Sequence, residues 1–246
     1  MAYQSLNPYD GRILKTFEEL TDQQLEAAVH AAEQCFKTWR HTTFAERSAV
    51  LARAAAILRS RAEDFARPIT LEMGKLIEES RGEVALSADI LDYYAENAAR
   101  FLADEPAKTN AKRSIVAFEP LGIVLAVMPW NYPFWQVIRF AAPAFMAGNA
   151  AVLKHASNVP QSALAIEEAV RDAGFPEGLL RTLLLAGSAV EPLIADERIR
   201  AVTLTGSSAT GSRIAELAGR ALKKQVLELG GSDPFIVLDD ADLAAA

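Results

Sequence analysis

Residues 123–133 read Ile123-Val-Leu-Ala-Val-Met128 and then Pro129-Trp130-Asn131-Tyr132-Pro133, and this stretch decides the fold. Its first half is apolar without alternation and follows Leu121-Gly122, the pattern of a short strand buried on both faces. Runs of the same kind recur at residues 150–153, 180–185, 201–204, 225–229 and 235–238. Helix-like segments lie between them at 134–147, 162–173, 190–195 and 212–222. Strand alternating with helix argues for right-handed βαβ crossovers and a mostly parallel sheet.

Toward the N-terminus the pattern changes, and the first hundred residues read as helix. Thr21 with Gln24, and Thr43 with Glu46, have capping-box spacing, in which each side chain satisfies the other's free backbone donor. Leu25, Val29, Ala32, Phe36 and Trp39 recur at helical spacing after the first cap. The second opens one long Ala/Leu-rich stretch through Phe65. A third run, from about Ile77 to Leu102, presents Val84, Ile90, Leu91, Tyr94 and Phe101. After a polar stretch at 108–113, residues 114–118 form a short alternating strand candidate. The fold class is α/β, with an N-terminal helical layer on a mostly parallel sheet.

The 246 residues are 51% hydrophobic, enough for a core, so disorder is excluded as the global description. With 25 basic and 32 acidic residues the net charge is −7, which argues against a nucleic-acid partner. One cysteine excludes an internal disulfide, and three scattered histidines offer no metal spacing. The first residues lack a charged and then apolar leader, and no apolar run reaches membrane-spanning length. A soluble, cytoplasmic protein without membrane partners is the expectation.

Ligands of such sheets bind beyond the carboxyl ends of the strands. There stand Pro129, Trp130 and Asn131; Lys154 to Ser157; Ala186-Gly187-Ser188; Thr205-Gly206-Ser207 through Gly211; and Glu228-Leu229-Gly230-Gly231. The Gly206–Gly211 turn opening a helix suits a phosphate, because free N–H groups at a helix start favour an anion. It also reads as a plain connection. Lys154 and Ser157 could hold a ribose or phosphate, or be solvated loop residues. Asn131 could donate to a developing oxyanion or cap the following helix. Glu228, in an apolar strand end, is a general-base candidate whose pKa burial would raise, or a salt-bridged strand glutamate. Cys35 lies among Ala32, Phe36 and Trp39 and reads as a packing thiol.

Taken in order, Pro129-Trp-Asn-Tyr-Pro133, Gly148-Asn-Ala150 with Lys154, Thr205-Gly-Ser207 with Gly211, and Glu228-Leu-Gly-Gly231 resemble the NAD(P)-dependent aldehyde dehydrogenase superfamily. Asn7-Pro-Tyr-Asp-Gly11 looks like that family's opening. The resemblance implies that the sheet is Rossmann-like, that Asn131 stabilises an oxyanion and that Glu228 activates the hydrolytic water. Pro129, Trp130, Lys154, Ser157, Gly187, Thr205, Gly206, Ser207, Gly211 and Leu229 would line the NAD or NADP site. In the family's reaction a cysteine thiolate attacks the aldehyde and water later cleaves a thioester. His155 departs from the proline usual after the lysine. Ser157 stands where strongly NAD-specific members carry glutamate, so a ribose 2′-phosphate is tolerated. Residues 71–75 and 128–142 look most like succinate-semialdehyde dehydrogenases. Arg139 matches an arginine that holds the substrate's distal carboxylate, and a structural helix arginine is the other reading.

The resemblance implies four parts. Residues 1–105 are the helical part of the cofactor-binding domain, 106–122 an oligomerisation hairpin strand, 123–231 the NAD(P)-binding core, and 232–246 the start of a catalytic domain. The chain carries no nucleophile candidate and reads as truncated before that domain. The expected partners are a small-molecule aldehyde and, at full length, further copies of the chain. A non-catalytic dinucleotide-binding module is the second reading.

Overall fold

A computed structural model describes residues 3–244. The run that opens the analysis is β5 (Ile123–Met128). It sits at the centre of a five-stranded parallel sheet with β6 (Ala150–His155), β7 (Leu180–Thr182), β8 (Ile199–Thr205) and β9 (Lys224–Glu228), in the order β7-β6-β5-β8-β9. The chain moves outward from β5 through β6 to β7, returns to pair β8 with β5, and ends at β9. The reversal falls between β5 and β8, where doubly wound sheets open a crevice.

Burial follows the pleat. Ile123, Leu125 and Val152 pack on one face with α1 (Asp22–Trp39), α7 (Val190–Ala195) and α8 (Ser208–Arg220). Ala126, Met128 and Leu153 pack on the other with α5 (Pro133–Met146) and α6 (Pro160–Asp172), and with α2 (Phe44–Ser60), α3 (Ala62–Met73) and α4 (Ile77–Phe101) outside them. The helical layer therefore shares a core with the sheet. Arg47 on α2 is buried and donates to the carbonyls of Trp39, Arg40 and Met146, joining the α1–α2 turn to the end of α5. Gly148 lies against it with φ +85°, and a Cβ there would meet Arg47 Nη2 at 2.9 Å.

Both capping boxes form as expected, at Thr21 with Gln24 and Thr43 with Glu46. Five expectations are corrected. The first hundred residues are not all helix: β1 (Tyr3–Leu6) and β2 (Ile13–Phe17) form an antiparallel hairpin around the Asn7–Gly11 turn. The long second helix breaks at Arg61, whose φ of −115° and ψ of 27° end α2 before α3 begins. Helix α8 starts at Ser208 rather than 212, because Ser207 Oγ accepts the Thr210 N–H and caps it there. Residues 235–238 form no strand; no described segment pairs with them, and Phe235 and Ile236 are 80% and 77% exposed. The 114–118 strand shortens to β4 (Ile115–Val116), paired with β3 (Glu105–Pro106). Among the described residues no helix is long and apolar enough to cross a membrane.

Candidate active site

The strand register sets the site residues along one edge. Lys154 on β6 pairs with Val127 on β5, Val127 with Leu204 on β8, and Thr205 with Glu228 on β9. Parallel strands end on the same side, so Asn131, Lys154, Gly206 and Glu228 all lie at or just past the carboxyl edge, across the β5/β8 reversal.

Around β8 and β9 the edge is closely tied. Gly206 N–H donates to the Glu228 carbonyl at 3.0 Å. A Cβ on Gly211 would meet Leu229 Cδ2 at 2.4 Å, so the glycine lets the tip of the Leu229 side chain lie on the first turn of α8. The Thr205-Gly206-Ser207 turn is open, and Ser207 spends its hydroxyl on the cap. Gly187 begins a short 3-10 turn and is exposed.

Lys154 is half-buried, and loss of solvent pulls its pKa below the usual lysine range. Among the described residues no carboxylate pairs with it. Ser157, on the loop beyond, is exposed. An unpaired half-desolvated ammonium, a neutral hydroxyl and an open helix start fit a polyhydroxylated, phosphorylated ligand.

Glu228 departs from expectation. Its strand is an edge, so its side chain is 53% exposed rather than buried, and Oε2 lies 3.7 Å from Arg139 Nη1. Arg139 Nη2 also donates to Thr205 Oγ1 at 3.4 Å and Gln136 Oε1 at 3.3 Å. Arg139 and Glu228 share a 670 Å³ groove with Met128, Phe140 and Val226. Asn131 lines a different cleft of 510 Å³, with Lys75, Glu83, Leu86 and Tyr132.

Asn131 is not the cap of α5. The cap residue is Tyr132 and makes no side-chain cap bond. The helix start is held by Glu83 from α4, whose Oε1 accepts the N–H groups of Phe134 at 2.7 Å and Trp135 at 3.0 Å. That leaves the Asn131 amide exposed and without a protein hydrogen bond among the described residues. Glu72 on α3 does the same for α6, accepting from Gln161 N, Ser162 N and Ser162 Oγ at 2.8 Å each. Burial raises the Glu72 pKa against those three bonds. Sequence reading missed both glutamates. The one available signal was a carboxylate on a buried stripe, with Ser80, Val84 and Ser87 beside Glu83.

His155 is buried, and burial pulls its pKa down to about 4. Its Nδ1 accepts the Ala156 N–H at 2.8 Å, so the ring proton sits on Nε2 and is donated to the Pro133 carbonyl at 2.9 Å. Cys35 is buried, and burial pushes its thiol up to about 11, which keeps it protonated and unreactive.

A doubly wound parallel sheet with polar groups gathered along its carboxyl edge defines an α/β protein built to take its ligand at the sheet's reversal point. The chain belongs to the aldehyde dehydrogenase family, whose profile matches residues 1–246. It is 51% identical over 246 residues to a Synechocystis sp. protein named "Probable succinate-semialdehyde dehydrogenase", NADP(+), covering all of this chain and 54% of that one. It is 49% identical to the succinate-semialdehyde dehydrogenase, NADP(+), of Mycobacterium avium, covering 53% of that protein. The crystal structure of succinic semialdehyde dehydrogenase from Streptococcus pyogenes with NADP+ superposes with a TM-score of 0.94 at 45% identity, over 99% of this chain and 54% of that one. The chain thus spans about half the length of the relatives it matches.

Proposed function

We propose that the intact protein oxidises succinic semialdehyde to succinate with NADP+ as the preferred electron acceptor and NAD+ as a weaker one. The observation that carries the substrate is Arg139, a cation held in one groove with Glu228. An aldehyde with a carboxylate at its far end would meet that guanidinium in a charge-assisted bond. Relatives about half identical to the chain carry the same substrate in their names.

The nicotinamide dinucleotide supplies a two-electron acceptor when bound. Lys154 and Ser157 would hold its ribose, and the absence of a nearby carboxylate leaves room for a 2′-phosphate. Thr205, Gly206 and Ser207 would face the pyrophosphate, with Pro129, Trp130, Gly187, Gly211 and Leu229 completing the walls. Asn131, with its amide free, would donate to the oxyanion formed when a thiolate adds to the aldehyde. Glu228 would take a proton from the attacking water. Its exposure lets it reach solvent, and its contact with Arg139 gives it a resting partner. Cys35 is not the nucleophile, so the thioester would form on a cysteine outside these 246 residues.

On this reading residues 123–231 are the cofactor core, 1–105 its helical support, 106–122 an edge for pairing with further copies in a homo-oligomer, and 232–246 a lead into a catalytic part. A dinucleotide-binding module without aldehyde oxidation is the second reading, compatible with the packing role of Cys35; the exposed apolar side chains at 235–238 suit a face that further structure covers, and so the first reading. The test is reduction of NADP+ by the intact protein with succinic semialdehyde and with a neutral aldehyde of equal length. Faster turnover of the former supports the proposal; cofactor binding with no turnover supports the module.

A further inference from the structure

We propose that Glu83 and His155 are positioning residues that clamp the Asn131 loop from its two sides. This rests on reading Asn131 as the oxyanion donor. The loop runs from Pro129 into α5, and its own side chains do not fix it: Asn131 and Tyr132 are exposed, and the helix has no side-chain cap of its own. The fixing comes from elsewhere in the chain.

From the helical layer, Glu83 uses both oxygens. Oε1 takes the Phe134 and Trp135 N–H groups, and Oε2 holds Lys75 Nζ at 2.6 Å. The same ammonium lies 3.8 Å from the centroid of the Tyr132 ring. The Glu83 side chain is fully buried and that of Lys75 is 8% exposed, so this pair is not a solvent-screened surface contact. From the sheet, His155 Nε2–H holds the Pro133 carbonyl. Residues 132–135 are therefore gripped in succession by a cation–ring contact, a carbonyl bond and two charge-assisted N–H bonds.

Geometry assigns the clamp a purpose beyond holding a helix. It secures the loop without using the Asn131 amide, leaving both of that group's hydrogens for a ligand. It also joins the loop to the residue next to Lys154, so the proposed cofactor lysine and the proposed oxyanion amide share one rigid frame. A proline at position 155 would lack the donor, and the Pro133 carbonyl would lose this bond. Misplacing a donor by about 1 Å can cost on the order of a hundredfold in rate, so a frame of this kind is worth its buried charges.

The test is a double-mutant cycle on the intact protein. Glu83→Leu and His155→Leu, each of which removes the hydrogen-bonding group, are measured alone and combined with Asn131→Ala. Each single variant is expected to lower kcat by about tenfold or more while KM for NADP+ changes by less than about twofold. In the Asn131→Ala background each should change kcat by less than about twofold, because the group they position is gone. His155→Gln, whose amide can donate to Pro133, should recover most of the loss seen in His155→Leu. Losses that multiply with Asn131→Ala would overturn the proposal. Amide hydrogen exchange at residues 134–136, read on the same variants, is expected to accelerate; unchanged exchange in folded variants would equally overturn it. If the wild-type protein oxidises no aldehyde, the functional reading fails by itself, and the exchange rates still decide whether the clamp exists.

Discussion

Arg139 on α5 faces Glu228 on β9 with Nη1 and Oε2 3.7 Å apart, so the cation suited to a substrate carboxylate already rests against the carboxylate suited to be a base. The two side chains are 35% and 53% exposed, and pairs of this kind contribute about 0–1 kcal/mol. On the proposed reading, a substrate carboxylate would replace Glu228 at little cost and leave it free to act as the base.

Replacing Arg139 with leucine should raise KM for succinic semialdehyde by on the order of tenfold to a hundredfold, the loss of a charge-assisted bond of about 1.5–3 kcal/mol. KM for a neutral aldehyde of equal length should change little, and the melting temperature should stay within a few degrees. Equal effects on both aldehydes would return Arg139 to a structural role.

Gly211→Ala tests the contact between the α8 turn and the strand end. The new Cβ would meet Leu229 Cδ2 at 2.4 Å; that atom ends a flexible side chain that is 43% exposed, so moving it aside costs no more than about 1 kcal/mol. Denaturant unfolding of the variant should show a loss within that limit. Because the obstruction is the tip of one side chain, Leu229→Ala in the same protein should relieve most of it. Additive losses would mean that the close approach is not what requires glycine.

How much of this was legible beforehand depended on distance along the chain. β5 could be read because burial on both faces leaves no polar position from 123 to 128, and the capping boxes because their partners are three residues apart. The β1–β2 hairpin escaped because β2 is mostly exposed and shows no apolar alternation. The break at Arg61 escaped because apolar spacing continues through it and no side chain caps α3. Residues 235–238 read as a strand on apolarity alone, yet a strand also needs a neighbour. That Asn131, Lys154, Gly206 and Glu228 stand at or just past strand carboxyl ends was legible because each follows or closes an apolar strand run; whether a ligand sits there is the proposal. Glu83 and Glu72 were not found, since each acts on a helix start 51 to 90 positions away. Burial of Glu228 was misjudged because sequence does not show which strand is the edge.

Acid should expose His155. Its folded-state pKa of about 4 lies below the ordinary 6.5, so the unfolded chain binds the proton more readily. The stability from keeping this ring neutral is complete above about pH 6.5 and is lost as pH falls toward 4, amounting to about 3 kcal/mol across that window. Protonated Nδ1 would also face the Ala156 N–H, donor against donor. His155→Gln should flatten the fall in unfolding free energy between pH 6.5 and 4; an unchanged slope would assign the acid sensitivity elsewhere.

Cys35 offers a negative control. With its thiol buried and pushed up to about 11, it should react with an aromatic disulfide reagent at neutral pH only on unfolding. Cys35→Ala should leave the KM for NADP+ unchanged. Rapid labelling of the native protein would contradict the packing role.

The most direct measurement is the equilibrium binding of NADP+ and NAD+ to this chain, by calorimetry, with Lys154→Ala alongside. The account requires NADP+ to bind at least as tightly as NAD+, and Lys154→Ala to weaken NADP+ by about tenfold or more, as loss of a charge-assisted contact implies. Absence of binding to either dinucleotide, or binding indifferent to Lys154, would contradict the assignment of the sheet's carboxyl edge as the cofactor site.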